Sequence, residues 1–417
     1  MHKLKILTFL FVFLLCQAQH IFSQEANPDD KKGYLIKNQI SDADKLKVFN
    51  NLWESVNQMY FDSTFNGVNW AKMHEIYQPQ VLSSKGKIEL INTLNKMLAE
   101  LKSSHLAVIT KVSISRKKLS SMFGKNVDYK NNDIRFGTGT DYKKIGESLV
   151  VSDVYKDSSA EKSGIKTGWI RKNCEVSPVS ESGSDELVFR EKFNCVFVDR
   201  DQKEREVTFF SNWYLQPRTI TQVNSKLLNE QTLYLKFTKF EKKVDEWMKQ
   251  QISQNPKVEN IVFDLRGNTG GLLGELKDSL SLFFPPQTVI GTSIHRDLDE
   301  KTLRIGSADY YKGKVYVLID SGSFSCAEIF ASAFKESGRG TVIGQKSGGQ
   351  VLFSRTNGLS NNLNVQIPIW DYRSIKGNRL EGEGVKPDIE VPLSVDEFAR
   401  QKDKTYEEIS KLLKLKS

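Results

Sequence analysis

Between Ala43 and Leu101 the apolar positions recur every three or four residues. Leu46, Phe49, Leu52, Trp53, Val56 and Tyr60 form one series, and Ile88, Ile91, Leu94, Leu98 and Leu101 form a second. That period places each series on one face of an amphipathic helix. Asn66-Gly67 and Pro79 are expected to break the region into two or three helices. From about residue 127 to 215 the pattern changes. Short β-type runs at 148–154, 194–198 and 206–210 alternate with turns rich in Gly, Ser and Asp. From 231 to about 393, β runs alternate with helical segments. "NIVFDL" (260–265) and "KVYVLID" (314–320) are continuous apolar runs of the kind buried on both faces of a parallel sheet. The pattern therefore predicts an α/β core preceded by a helical segment and a β-rich insertion, with a terminal helix over 396–415.

A chain of 417 residues is too long for one ordinary domain. With 39% hydrophobic and 27% charged residues, it reads as globular rather than disordered. The start differs from the rest. Lys3 and Lys5 precede a ten-residue apolar run, Ile6 to Leu15, too short to span a bilayer comfortably, so residues 1–24 read as a secretory signal peptide. Cleavage is expected after Ala18 or Ser23. Cys16 follows bulky Leu15, which fits a lipoprotein signal poorly. The chain is thus expected to be exported, to the periplasm or the exterior, with no integral membrane segment once mature. Removing the leader lowers the formal charge from +9 to about +7. No Lys/Arg run with interleaved aromatics accompanies this excess, so nucleic acid is not an expected partner. Cys174, Cys195 and Cys326 remain. Export permits a Cys174–Cys195 disulfide, with two free thiols the competing reading, and no ligand spacing points to a metal.

Four short stretches carry chemistry. In "DSGSFSCAEIFASAF" (320–334) a buried strand runs through a Ser/Gly turn into a helix beginning near Cys326. Unpaired N–H groups at such a helix start can hold an oxyanion. Spacing alone does not choose among Ser321, Ser323 and Ser325, and any of them can serve as an N-cap. "FDLRGNTGG" (263–271) ends a second strand in Gly270-Gly271, where backbone can approach a ligand closely. "LAELKSSHLAV" (98–108) places His105 after a helix and before a strand. His74 falls within a helix and His295 in a loop rich in charge. "RLEGEGVKPDIEVP" (379–392) carries Glu381 and Glu383 in a Gly-rich turn.

In order and spacing, these stretches resemble the tricorn-like branch of the C-terminal processing serine peptidases, over roughly residues 44 to 400. "LWESVNQMYFDSTFNGVNW" and "MLAELKSSH" resemble its helical N-terminal domain, and "DLRGNTGG", the serine turn, "GQKSGG" and "EGEGVKPD" its core. The resemblance implies a crotonase/ClpP-like α/β catalytic core (216–417), an N-terminal helical domain (25–110) and a β-rich PDZ-like domain (127–215). It implies Ser325 as nucleophile, since Glu328 stands three residues on, with His105 as base. Ser104 would link His105 to Glu381, with Glu383 in reserve. The backbone N–H groups of Gly271 and Cys326 would form the oxyanion hole, Gly270 being the alternative to Gly271. In the lysine-dependent branch the base lies 25 residues after the serine, and Gln350 stands there. Lys346 is displaced from it, so a Ser-Lys dyad is not expected.

"VVSDVYKDSSAEKSGIKTGW" (150–169) resembles the middle of a PDZ domain, with Trp169 in place of the usual acidic residue. "RFGTGT" (135–140) would be the loop that receives a peptide carboxylate, through Phe136, Gly137 and Thr138. The expected function is an exported endopeptidase acting on peptide or protein substrates through an acyl-enzyme, with no metal or organic cofactor. The alternative is a non-catalytic peptide- or lipophile-binding protein on the same fold. A histidine of ordinary pKa predicts an acid limb near pH 6 to 7.

Overall fold

The computed structural model describes residues 39–110, 132–179, 190–217, 223–400 and 402–415. The expected leader and Cys16 lie outside the described residues. The chain divides into two compact units. One comprises Met1–Met59, Thr64–Arg218 and Arg355–Ile367, the other Tyr60–Ser63, Thr219–Ser354 and Pro368–Ser417.

The first unit opens with α1 (Asp42–Met59), α2 (Trp70–Leu82) and α3 (Lys87–Ala99). Phe49, Leu52, Val56, Ile91, Leu94 and Leu98 of the predicted series are buried, and Val48 and Leu90, outside it, are buried with them. Reciprocal indole bonds tie α1 to α2, Trp53 Nε1 to the Trp70 carbonyl at 2.9 Å and Trp70 Nε1 to the Trp53 carbonyl at 3.2 Å. Asn66 and Gly67 break the helical run as expected, with Asn66 at φ 53°. Pro79 does not. It lies inside α2, which continues to Leu82. A proline this near a C-terminus removes one helical N–H, and little helix remains beyond it to disrupt. The break falls instead between Leu82 and Lys87. His74 is packed in α2 against Phe49 and Trp53.

After a turn comes β1 (Ala107–Thr110), antiparallel to residues 363–366. The Val108 N–H donates to Asn95 Oδ1 of α3 at 2.8 Å, which fixes where the chain leaves the helix.

The β-rich part of this unit contains β2 (Asn132–Gly137), β3 (Thr140–Ile145), β4 (Ser148–Val154), α4 (Ser159–Lys162), β5 (Ile170–Val179), β6 (Arg190–Val198), β7 (Glu204–Phe210) and β8 (Asn212–Pro217). Strands β3 to β7 form an antiparallel meander in chain order, and β2 pairs with β8. Inward-facing Val151, Phe193, Phe197 and Phe209 close over Ala160 and Ile165 as a small core. Cys174 and Cys195 face each other across β5 and β6 and are joined as a disulfide. The cross-strand register of β5 and β6 places that pairing.

The second unit is built on a six-stranded sheet. Its strands are β9 (Asn224–Asn229), β10 (Thr232–Lys236), β11 (Asn260–Asp264), β14 (Lys314–Ile319), β15 (Thr341–Gly344) and β17 (Ile389–Glu390). The order is β17-β15-β14-β11-β10-β9. All neighbouring pairs are parallel except β9 with β10. Helices α5 (Val244–Gln254), α6 (Leu273–Ser281) and α7 (Cys326–Glu336) contribute to the larger apolar cluster, with Phe263, Phe330 and Phe334 among its buried residues. A second cluster forms from Val262, Leu318, Ile343 and Ile409. Alternate residues of β11 and β14 therefore enter different clusters, which is why both runs are continuously apolar. Between β11 and β14 lies the antiparallel pair β12 (Thr288–His295) and β13 (Glu300–Ile305), and β16 (Leu363–Arg373) pairs with β12 through residues 370–373. His295 ends β12 rather than lying in a loop, its ring hydrogen-bonded to Ser293.

The expected terminal helix is two helices, α8 (Val395–Ala399) and α9 (Lys404–Leu412). Asp403 caps α9 by accepting the Tyr406 N–H. An aspartate at that position restarts a helix rather than continuing one.

Candidate active site

Parallel strands gather ligand-binding turns at their carboxyl ends. The adjacent strands β11 and β14 end at Asp264 and Ile319, and the turns beyond them are laced together. Asp320 Oδ1 accepts the Gly267 and Gly322 N–H groups at 3.0 and 2.9 Å. Ser323 is fully buried, and its hydroxyl donates to the Leu265 carbonyl at 2.7 Å while accepting the Asp320 N–H. Ser323 is thus occupied in holding one turn to the other. Phe324 N–H donates to the Asn268 carbonyl at 2.9 Å. Beneath them, buried Asp264 pairs with Arg266 at 2.7 Å and accepts the Tyr234 hydroxyl at 2.6 Å. The guanidinium holds the Asp264 carboxyl down at about 2 against the cost of its burial.

Ser325 immediately precedes α7, at φ 54° and ψ −118°. Positive φ is costly for a residue with a Cβ, and such outliers concentrate at functional turns. Gly270 and Gly271 explain their own side chains' absence. A Cβ on Gly270 would stand 2.6 Å from Ser325 Cβ and 3.0 Å from the Cys326 nitrogen. One on Gly271 would stand 2.3 Å from the Phe240 carbonyl. The Gly270 carbonyl accepts the Phe240 N–H at 2.8 Å, and the Leu272 N–H donates to the Phe240 carbonyl at 2.8 Å. This ladder spends the flanking groups on Phe240 and turns the Gly271 peptide groups to the other side, where the Cys326 thiol donates to the Gly271 carbonyl at 3.3 Å. The Gly270 N–H is already committed to Asn268 Oδ1 at 2.9 Å. Among the described residues, neither the Gly271 nor the Cys326 N–H has a protein acceptor. Burial pushes the Cys326 thiol up to about 12, so it stays a neutral donor and no thiolate competes with the serine.

Glu328 is the residue whose importance spacing understated. It is fully buried in α7. Oε2 accepts the Ser325 N–H at 3.0 Å and the Gln350 N–H at 2.9 Å. Oε1 accepts the Gly349 N–H at 2.7 Å and the Ser347 hydroxyl at 2.6 Å. Burial pushes its carboxyl up to about 7, and the four donors oppose that rise. The S-x-x-E spacing was readable as a helix start, but the donors from 347–350 come from a loop that no local pattern connects to it. Gln350, at the lysine position, works through its backbone: its N–H meets Glu328 and its carbonyl accepts the Ser325 N–H at 2.9 Å. Lys346 is exposed and pairs with exposed Glu383 at 3.7 Å. Glu381 is partly buried, and its Oε2 accepts the Val351 N–H at 2.9 Å.

Ser104 and His105 lie in the first unit, in the turn between α3 and β1. Ser104 Oγ is 2.8 Å from His105 Nδ1, a contact between consecutive residues made with His105 at φ 57°. Burial pushes the imidazole down to about 4. In the β-rich part, Gly137 ends β2 and Thr138 follows it at the entrance to β3. The Thr138 carbonyl accepts the Ala160 N–H of α4 at 3.2 Å, and its hydroxyl bonds that of Thr140 at 2.9 Å. Phe136 pairs with Trp213 through the β2–β8 ladder. Among the described residues, no three His, Cys, Asp or Glu side chains are grouped to hold a metal, and no helix is long and apolar enough to cross a membrane.

The neighbouring strand ends of a parallel sheet thus set a serine with positive φ against two glycines in an α/β core. Its family follows from comparison with known proteins. Residues 231–391 match the model of peptidase family S41, and residues 41–99 match that of the tricorn protease C1 domain. Residues 231–391 thus carry the pattern of peptidase family S41.

A carboxyl-terminal-processing protease of Synechocystis is 24% identical over 382 residues, covering 87% of this chain and 85% of that protein. A probable CtpA-like serine protease of Staphylococcus epidermidis is 25% identical over 273 residues, covering 61% of this chain and 53% of that one. The chain thus spans about half the length of its staphylococcal relatives. Among solved structures, the photosystem II D1 C-terminal processing protease superposes with a TM-score of 0.55 at 20% identity, over 85% of this chain and 94% of the other. Mature CPAF bound to lactacystin gives 0.61 at 12% identity, over 89% and 98%. At these identities the two likenesses concern the fold.

Proposed function

We propose that the protein is an exported serine endopeptidase that cleaves peptide bonds through an acyl-enzyme at Ser325. The observation that carries the reading is the serine turn: Ser325 at positive φ, with the uncommitted N–H groups of Gly271 and Cys326 beside it. In this mechanism His105 takes the Ser325 proton as the hydroxyl attacks the scissile carbonyl. The two N–H groups hold the oxyanion, and water then releases the acyl group. The imidazole, held neutral by burial, is in the form a base requires. In this reading Ser104 orients the imidazole through Nδ1, and half-buried Glu381 rather than solvent-facing Glu383 is the acidic member. No step calls for a metal or an organic cofactor. The crotonase/ClpP-like assignment of the core (216–417), the helical domain (25–110) and the PDZ-like domain (127–215) belong to the same reading. In it, the loop of Phe136, Gly137 and Thr138 receives a substrate C-terminus.

Hydrolysis of a quenched fluorescent peptide library tests the proposal. Ser325→Ala is expected to remove turnover, by a factor of at least about a thousand, with the fold kept, and EDTA is expected to leave wild-type turnover unchanged. An active Ser325→Ala variant, or activity lost to EDTA and restored by zinc, contradicts it.

A further inference from the structure

We propose that Ser347 is a positioning residue whose hydroxyl couples the turn of Ser325 to the turn of Glu381 through the buried carboxylate of Glu328. The inference rests on the reading of Ser325 and Glu381 given above. Ser347 is 6% exposed. Its Oγ donates to Glu328 Oε1 at 2.6 Å and accepts the Val385 N–H at 2.6 Å. A hydroxyl has one proton to give and lone pairs to receive, so this one group completes both bonds. The Ser347 N–H answers on the Val385 carbonyl at 3.1 Å.

The rest of the segment behaves alike. Toward the nucleophile, Gly348 N–H meets the Ser323 carbonyl at 3.0 Å and the Gln350 carbonyl takes the Ser325 N–H at 2.9 Å. Toward the other turn, the Gly349 carbonyl takes the Gly382 N–H at 2.8 Å and the Val351 N–H holds Glu381 at 2.9 Å. Most of these bonds are made by backbone and survive substitution. Ser347 is the side chain that touches both Glu328 and the 380–385 turn. Alanine there would bury the Val385 N–H without an acceptor and take a donor from a buried carboxylate, both unfavourable.

The groups that face Glu328 are donors rather than charges. They are the Ser325 N–H on its own element and the Ser347 hydroxyl and the Gly349 and Gln350 N–H groups on the neighbouring loop. The charged residues nearby are engaged elsewhere, Lys346 with Glu383 in solvent and Glu381 on the Val351 N–H. Loss of the Ser347 donor therefore favours protonation of Glu328 and moves its titration to higher pH.

The test compares the full chain with Ser347→Ala, Ser347→Cys and Ser347→Thr in steady-state kinetics on one peptide between pH 5 and 9. Ser347→Ala is expected to lose about tenfold or more in kcat with KM little changed, and its acid limb to rise by about one pH unit. Ser347→Thr, which keeps the hydroxyl, is expected to restore both. Ser347→Cys, a weaker donor of similar size, is expected to fall between them and decides the matter if the alanine variant does not fold. A folded alanine or cysteine variant with wild-type kcat and an unmoved limb overturns the proposal. Reaction of the unmutated protein with a fluorophosphonate at Ser325 is the control. Its failure sinks the serine reading itself, whereas labelling that proceeds equally fast in Ser347→Ala sinks only the positioning role.

Discussion

At the scale of single residues, half-buried His105 and fully buried Glu328 have moved in opposite directions. His105 is pushed down to about 4 and Glu328 up to about 7, each by loss of water around its charged form. Above about pH 4 the imidazole is neutral and able to accept a proton. Glu328 is the anion its four donors require only above about pH 7. The sequence, which assigns a histidine its ordinary pKa, predicts an acid limb at pH 6 to 7 set by His105. The environment of the two side chains assigns a limb in that range to Glu328 instead. In Glu328→Gln, kcat is expected to fall while the limb near neutrality disappears, leaving kcat/KM flat down to about pH 5. A pH profile of this variant that keeps the limb at 6 to 7 returns the titration to His105. Lys346→Ala should lose less than about threefold, because its ammonium is solvated beside Glu383.

At the scale of elements, the sequence was most legible where one element carries its own pattern. The helical stripes of α1 and α3, the buried runs of β11 and β14, and the start of α7 at Cys326 all lie where periodicity placed them. It was least legible where two elements meet. No local signal shows that Ser323 is spent on the Leu265 carbonyl, or that the Gly270 N–H is taken by Asn268. Pro79 and the break after Ala399 miscarried for a related reason. Helix ends depend on what packs beyond them, and propensity does not record it. The glycine turn offers a direct check. Gly270→Ala adds a Cβ 2.6 Å from Ser325 Cβ at φ 91°. It is expected to cost about a hundredfold in kcat/KM while far-UV circular dichroism stays unchanged. Wild-type turnover in that variant would mean that the turn does not constrain the serine.

At the scale of the whole molecule, the β-rich region carries the question of how substrates are chosen. Among the described residues its meander leaves β3 as an edge strand, next to Gly137 and Thr138, and an edge strand can accept an added peptide strand. Full-length Ser325→Ala protein is expected to bind a fluorescent peptide with a free apolar C-terminus at least about tenfold more tightly than its amide, measured by anisotropy. Equal affinity removes the carboxylate-receiving role from the 135–140 loop and leaves the peptidase reading untouched.

Activation of Ser325 by His105 is the core of the proposed reaction. It is tested most directly by treating the wild-type protein, Ser325→Ala and His105→Ala with a fluorophosphonate and locating the adduct by peptide mass spectrometry. Attack by an activated serine hydroxyl predicts one adduct, on Ser325, formed at least about a thousandfold more slowly in His105→Ala and absent in Ser325→Ala. An adduct on another residue, or labelling of Ser325 at an undiminished rate without His105, contradicts the account.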